Sequence, residues 1–247
     1  MNRRTAIVTG STSGIGRDIA RRLYADGFNV VITGRDERRG KMVLDELGPD
    51  AIFVGLDLTA DGAADALATA AVDTYGSLDV VVNNAAQDHT GDLLDVPTSE
   101  VRHAFEVNAV AAIMMLQAGA RRMTTNGGAI INISSRLASI GVPTMSVYSA
   151  TKGAINAITT AAAVELAGRN IRVNAVAPGM TRTPLYDTWL GEQADPDRTE
   201  RDVVADIPLG RLATPADVAA VVAFLASDQA AYLTGICIPV DGGYTAR

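Results

Sequence analysis

Short runs that are apolar from end to end alternate along this chain with longer runs whose apolar residues recur every three or four positions. The first, TAIVT (5–9), reads as a buried strand, and Ile15, Ile19 and Leu23 then follow at four-residue spacing, the stripe of an amphipathic helix. Further strand runs are NVVIT (29–33), IFVGL (52–56), LDVVVNN (78–84), GAIINIS (128–134), IRVNAVA (171–177) and GICIPV (235–240). Helices are predicted over 36–47, 63–75, 98–107, 109–124, 147–168 and 214–226. The last opens with Thr214 as N-cap and Pro215 in its first turn. Strands apolar on both faces belong in a parallel sheet covered by helices. The alternation therefore predicts an α/β fold: a doubly wound, mostly parallel seven-stranded sheet with helices on both faces. Ligands of such sheets bind beyond the carboxyl ends of the strands.

Composition narrows the partners. No Pro/Gly/Ser-rich linker divides the 247 residues, so one domain is expected over 1–247. A net charge of −7 without a basic cluster argues against nucleic acid and anionic membrane. No apolar run is long enough to span a bilayer. The N-terminus enters a strand by Thr5 without the apolar core of a signal peptide, and Cys237 stands alone, so a cytoplasmic protein without an internal disulfide is expected. His89 and His103 offer no zinc-type cluster and no serine elbow to serve, so neither a metal site nor a hydrolase triad is expected.

TGSTSGIG (9–16) lies between the first strand and the first helix. Gly10 allows a sharp turn, and Gly14 and Gly16 let backbone approach a ligand at a helix start whose unpaired N–H groups suit a pyrophosphate. Further on, Tyr148 and Lys152 share a helix face at i and i+4. Ser135, thirteen residues before the tyrosine, ends a predicted strand and puts a hydroxyl at the same edge of the sheet. Ser134 is its competitor, and the interval favours Ser135.

These stretches resemble the short-chain dehydrogenase/reductase family, a group of Rossmann folds. TGSTSGIG is similar to the family's cofactor turn, NNAA (83–86) to its N-N-A-G, and Asn108 in FEVNAVA sits where relatives place a functional asparagine. NISS (132–135), YSATK (148–152), VNAVAPGMTRTP (173–184) and LTGICIPVDGG (233–243) continue the likeness in order, with Ala86 in place of the family glycine.

Reducing a ketone by hydride leaves an alkoxide that needs a proton. A phenol of ordinary pKa near 10 gives one up poorly at neutral pH, and a neighbouring ammonium would lower that value. Tyr148 is thus the expected general acid/base, Lys152 its tuner, and Ser135 the donor to the substrate oxygen. The resemblance adds that Lys152 bonds the nicotinamide ribose and that Asn108 anchors a water in a proton relay to it. It also assigns the cofactor to Gly10, Ser11, Ser13, Gly14, Ile15 and Gly16, to Asp57 and Leu58 at the adenine, to Asn84 along a ribose, and to Pro178, Gly179, Thr181 and Thr183 around the carboxamide and pyrophosphate.

The second strand ends in glycine, Gly34, where NAD-preferring relatives carry an acid, and Arg35 follows, a side chain that suits a 2′-phosphate. NADP(H) is the expected cofactor. Asp36 is the contrary signal that keeps NAD open. Residues 184–208 are expected as a mobile lid, with Trp189 and an apolar wall from Leu137, Ile140, Val142, Pro143 and Met145 pointing to an uncharged ketone or secondary alcohol. A 3-oxoacyl thioester reductase of fatty-acid type and a non-catalytic dinucleotide sensor stay open as alternatives. Ala154, Ala157, Ala161 and Ala163 would permit close helix packing, and by resemblance a homotetramer is expected.

Overall fold

The computed structural model describes residues 3–123 and 127–246, so residue 124, the last of the expected helix 109–124, lies outside the described residues. Seven strands, β1 (Thr5–Val8), β2 (Asn29–Gly34), β3 (Ala51–Gly55), β4 (Val80–Asn83), β5 (Gly128–Ile133), β6 (Ile171–Pro178) and β7 (Cys237–Val240), form one sheet in the order 3-2-1-4-5-6-7. Every neighbouring pair is parallel. The expected seven-stranded sheet is thus present, and wholly rather than mostly parallel.

The two-residue period of a strand explains why the runs had to be apolar throughout. Ala6 and Val8, Val30 and Ile32, Val80 and Val82 turn to one face, where α1 (Gly14–Ala25), α2 (Glu37–Leu47) and α9 (Pro215–Ala226) cover them with Ile19, Val43 and Val222. Ile7, Val31 and Val81 turn to the other face, against Leu67 of α3 (Ala63–Tyr75), Met115 of α5 (Ala111–Arg122) and Ala162 of α6 (Ser146–Leu166). A polar side chain in these runs would have no water to meet on either face.

Strand order reverses beside β1, which pairs with β2 on one edge and β4 on the other. The crevice at the carboxyl ends of β1 and β4 is the switch point where such sheets bind ligands.

Two elements depart from expectation. The predicted break between helices at Asn108 is a continuous run: α4 (Thr98–Phe105) passes into α5 through a π-helical segment, Glu106–Val110. The wider turn carries Asn108 inward until it is 1% exposed. Residues 184–208, expected as a mobile lid and given no helix among the predicted ones, form α7 (Pro184–Gly191) and α8 (Pro196–Ala205). Each has a proline in its first turn and a side-chain cap, Thr183 and Asp195. Beneath them Tyr186, Ile207 and Leu212 make a small core of their own.

Candidate active site

The glycine turn and the loop after β4 interlock. The Thr9 hydroxyl accepts from the N–H groups of Asn84 and Ala85, and the Asn84 amide donates to the carbonyls of Thr9 and Gly10. A Cβ on Gly16 would lie 2.4 Å from the Gly10 carbonyl oxygen and 2.4 Å from the Asn84 amide nitrogen, so only glycine fits there. Gly10 takes φ 62°, in the left-handed region. Ser13 at the start of α1 provides no side-chain cap, and the first turn carries no acid. The leading N–H groups of α1 are therefore left to a ligand, with the positive end of the helix dipole behind them.

A groove of about 780 Å³ opens in front of this turn. Gly10, Ser13, Gly14, Ile15, Gly16, Arg35, Asp57, Leu58, Asn84 and Thr183 all line it, as expected of cofactor contacts. Ser11 does not. Its side chain is fully buried, donates to the Val8 carbonyl at 2.7 Å and accepts from the Thr33 N–H at 3.0 Å, so its hydroxyl joins β1 to β2. Pro178, Gly179 and Thr181 also lie off the groove wall: Thr181 is buried and donates to the Gly179 carbonyl, and Gly179 packs on Asp241, where a Cβ would meet Cα at 2.8 Å. They shape the strand end that carries Thr183. Thr12, Gln87, Val107 and Ala111 line the groove without having been expected. Thr12 sits inside the glycine turn, next to Ser11, which was expected in its place.

At the ribose end Asp36 is engaged. Its carboxylate accepts from the Arg39 N–H at 3.0 Å as the cap of α2 and pairs with the Arg39 guanidinium at 3.1 Å, which holds it below the usual carboxylate range. Asp57 closes a turn on Thr59, and that hydrogen bonding, helped by Arg35, keeps its carboxyl low as well.

One strand further along the sheet, Ser134 and Ser135 part company. Ser134 is buried and donates to Asn156 of α6 at 2.6 Å. Ser135 accepts from the Leu137 N–H at 3.1 Å, and its hydroxyl acts on the Tyr148 phenol. Lys152 is 2% exposed, donates to the Ile133 carbonyl at 2.9 Å, and sits 5.5 Å from the centroid of the Tyr148 ring. The predicted trio Ser135, Tyr148 and Lys152 is thus brought together.

Its electrostatics differ from expectation. Burial pushes the Tyr148 phenol up from its ordinary value, the negative charge of Asp88 adds to this, and Ser135 opposes it. Burial pushes the Lys152 amine down to about 8, against Asp88. The expected lowering of the phenol by the ammonium does not appear in the protein alone: desolvation acts on both groups, and the Lys152 amine is bonded to the Ile133 carbonyl.

Asn108 is likewise occupied. Its Oδ1 accepts from the Gln87 N–H at 2.8 Å, and its Nδ2 donates to the Gln87 carbonyl at 2.9 Å and to the Thr151 hydroxyl at 3.2 Å. The side chain fastens a loop to α6, next to Lys152 but without touching it. Among the described residues no cluster could hold a metal ion, and no helix is long and apolar enough to cross a membrane.

A wholly parallel, doubly wound sheet, a glycine-lined groove at its switch point and a Ser–Tyr–Lys cluster beside it define a dinucleotide-binding class of protein. Comparisons specify it further. A family model described as enoyl-(acyl carrier protein) reductase matches residues 10–245. Cis-4-hydroxycyclohexanecarboxylate dehydrogenase of Sinomonas cyclohexanicum is 40% identical over 98% of this chain and 97% of its own length. L-rhamnose 1-dehydrogenase (NAD(P)(+)) of Azotobacter vinelandii is 39% identical over 97% and 96%. A solved structure named a short chain dehydrogenase/reductase family protein superposes with a TM-score of 0.88 at 38% identity, over 99% of this chain and 100% of that one. The chain belongs to the short-chain dehydrogenase/reductase family and is an oxidoreductase.

Proposed function

We propose that the chain transfers hydride between NADP(H) and a ketone or secondary alcohol, with Tyr148 as general acid/base. The observation that carries this reading is buried Lys152 lying 5.5 Å from the centroid of the Tyr148 ring and bonded to Ile133 at the strand end that leads into Ser135, next to a groove fit for a dinucleotide. When bound, the nicotinamide supplies or accepts the hydride. The substrate oxygen lies between the Ser135 and Tyr148 hydroxyls: Ser135 donates to it and Tyr148 delivers the proton as the alkoxide forms. Burial keeps the phenol protonated, as reduction requires, but also makes it a weaker acid, so a nearby positive charge has to assist the transfer. Lys152 reaches the ribose, as the family resemblance implies, and its charge assists loss of the phenolic proton in the reverse direction. Asn108 acts as a positioning residue, fixing Gln87 and Thr151.

NADP(H) is favoured over NAD(H) by the rim of β2. Gly34 leaves no acid at the strand end, Arg35 is exposed along the groove, and the Asp36 carboxylate is spent on α2 and Arg39. The relatives act on a ring alcohol and on a sugar, by their names, which supports a secondary alcohol or its ketone here. We assign residues 184–208 to a lid over the substrate, since Pro184 and Leu185 line the groove and Trp189, four residues on in α7, stays partly exposed. A cytoplasmic homotetramer completes the proposal.

The test is absorbance at 340 nm with NADPH and NADH over a panel of simple ketones, an acetoacetyl thioester, 4-hydroxycyclohexanecarboxylate and rhamnose. Tyr148→Phe is expected to lower kcat at least roughly a hundredfold, the usual worth of a general acid, while leaving dinucleotide binding within about twofold. Retained turnover in that variant would remove Tyr148 from the reaction.

A further inference from the structure

The carboxyl end of β2 is crowded from the side of the glycine turn. Gly34 lies outside the left-handed region, so its own backbone would admit any side chain. Thr12 is what bars one. A Cβ on Gly34 would lie 2.8 Å from the Thr12 Cγ2 and 2.9 Å from its Oγ1. These atoms fill two of the three staggered positions on the Thr12 Cβ, so either other rotamer still leaves a heavy atom in one of the two places. The turn is also tied down. The Ser11 N–H donates to the Thr33 carbonyl at 3.1 Å, and the Ser11 hydroxyl accepts from the Thr33 N–H at 3.0 Å. The residue before Thr12 is thus fastened to the residue before Gly34. On the other side the Gly34 carbonyl accepts from the Leu56 N–H at 3.3 Å. Thr12, Gly34, Arg35 and Asp36 all line the groove.

We propose that Thr12 is a steric gate on cofactor choice: by holding position 34 to glycine it excludes the acid that would accept from a ribose 2′-hydroxyl, and leaves the end of β2 to Arg35 and a 2′-phosphate. The proposal rests on the NADP(H) reading and deepens it, because it places the preference in a packed pair of residues rather than in Arg35 alone. An acid introduced at position 34 cannot seat until Thr12 is cut back. With alanine at position 12, the Cβ that remains stands 3.5 Å from a Cβ at position 34, an ordinary contact.

Two measurements test the gate. The first uses the protein without cofactor: melting temperatures of the wild type, Gly34→Ala, Thr12→Ala and the double variant form a cycle. Gly34→Ala is expected to lower the melting temperature by several degrees beside Thr12 and by less than about half as much beside alanine. Equal losses in the two backgrounds overturn the proposal. The second is calorimetric titration with NADPH and with NADH. Gly34→Asp alone is expected to weaken NADPH at least about tenfold, by crowding the turn and repelling the phosphate, without improving NADH. Adding Thr12→Ala to Gly34→Asp is expected to tighten NADH at least about fivefold. NADH bound as tightly by Gly34→Asp alone as by the double variant overturns the proposal. A wild type that binds NADH more tightly than NADPH would fault the NADP(H) reading instead, and the melting cycle would then decide the gate by itself: coupling between positions 12 and 34 sustains it, and additivity overturns it.

Discussion

Lys152 carries a cost that its neighbours only partly offset. The buried amine sits at about 8, below its ordinary 10.5, so the folded protein holds this proton less tightly than the unfolded chain does. The sign follows from linkage: the full penalty is present below about pH 8 and is relieved as pH rises from there toward 10.5, the unfolded value. Lys152→Met is accordingly expected to raise stability at pH 7, by on the order of 2 kcal/mol after loss of the Ile133 hydrogen bond, while abolishing turnover. Denaturant melts of both proteins at several pH values check this: the advantage should shrink above about pH 8. A constant difference would mean that packing, not charge, sets it. A residue held at such a cost is placed there for chemistry rather than for the fold. None of this could be read from the i, i+4 spacing of Tyr148 and Lys152, which reports a shared helix face and says nothing of depth. The phenol's direction of shift was misjudged for the same reason.

Elements were legible where a single periodicity decided them. Strands buried on both faces and the stripe of α1 follow from what water excludes, and each expected strand lies within two residues of its place. The π-helical turn at Asn108 was not legible, since an i→i+5 register is chosen by the tertiary bonds of Asn108 to Gln87 and Thr151. In α7 and α8 the signals were present but no helix was predicted from them: Gly191 and Pro196 mark the end of one helix and the start of the next. Ser11 and Thr12 are adjacent, and the turn alone does not say which faces the groove. The turn itself supplies a test at this scale. In Gly16→Ala the new methyl meets backbone oxygen and the Asn84 amide, so the turn and the β4 loop must separate. Overpacking of this kind costs roughly 1–3 kcal/mol. The variant is expected to melt earlier and to bind NADPH at least about tenfold more weakly by calorimetry. Unchanged binding would show that the groove does not depend on this interlock.

At the scale of the whole molecule, the segment over the site and the surfaces beyond it carry the remaining expectations. The α7–α8 unit rests on a small core separate from the two that flank the sheet, with Arg182 paired to Asp187 and Glu200 to hold it in place. A lid so attached opens at less cost than the main cores do. Limited proteolysis between Gly191 and Pro196 is expected to slow severalfold when NADPH and a ketone are added together, and cleavage indifferent to them would remove the lid assignment.

The outer face of α6 argues for assembly. Of the four alanines noted along it, Ala163 is buried in the core, while Ala157 and Ala161 are exposed and continue into Val164, which is 78% exposed. Val110 and Met114 stand partly exposed on the neighbouring run into α5. Small and apolar side chains over two adjacent helices form a face that a lone chain would leave to water, and a second copy related by a two-fold axis would cover it with its own equivalent. Light scattering on the eluting protein is expected to give about 103 kDa, four times the 25.7 kDa chain. Ala161→Glu with Val164→Glu places like charges against each other across the two-fold and should halve or quarter that mass, with the melting temperature of the subunit little changed if the face is an interface alone. A wild type that elutes at the mass of one chain would mean that this apolar face stays exposed and that the active site is complete without a partner.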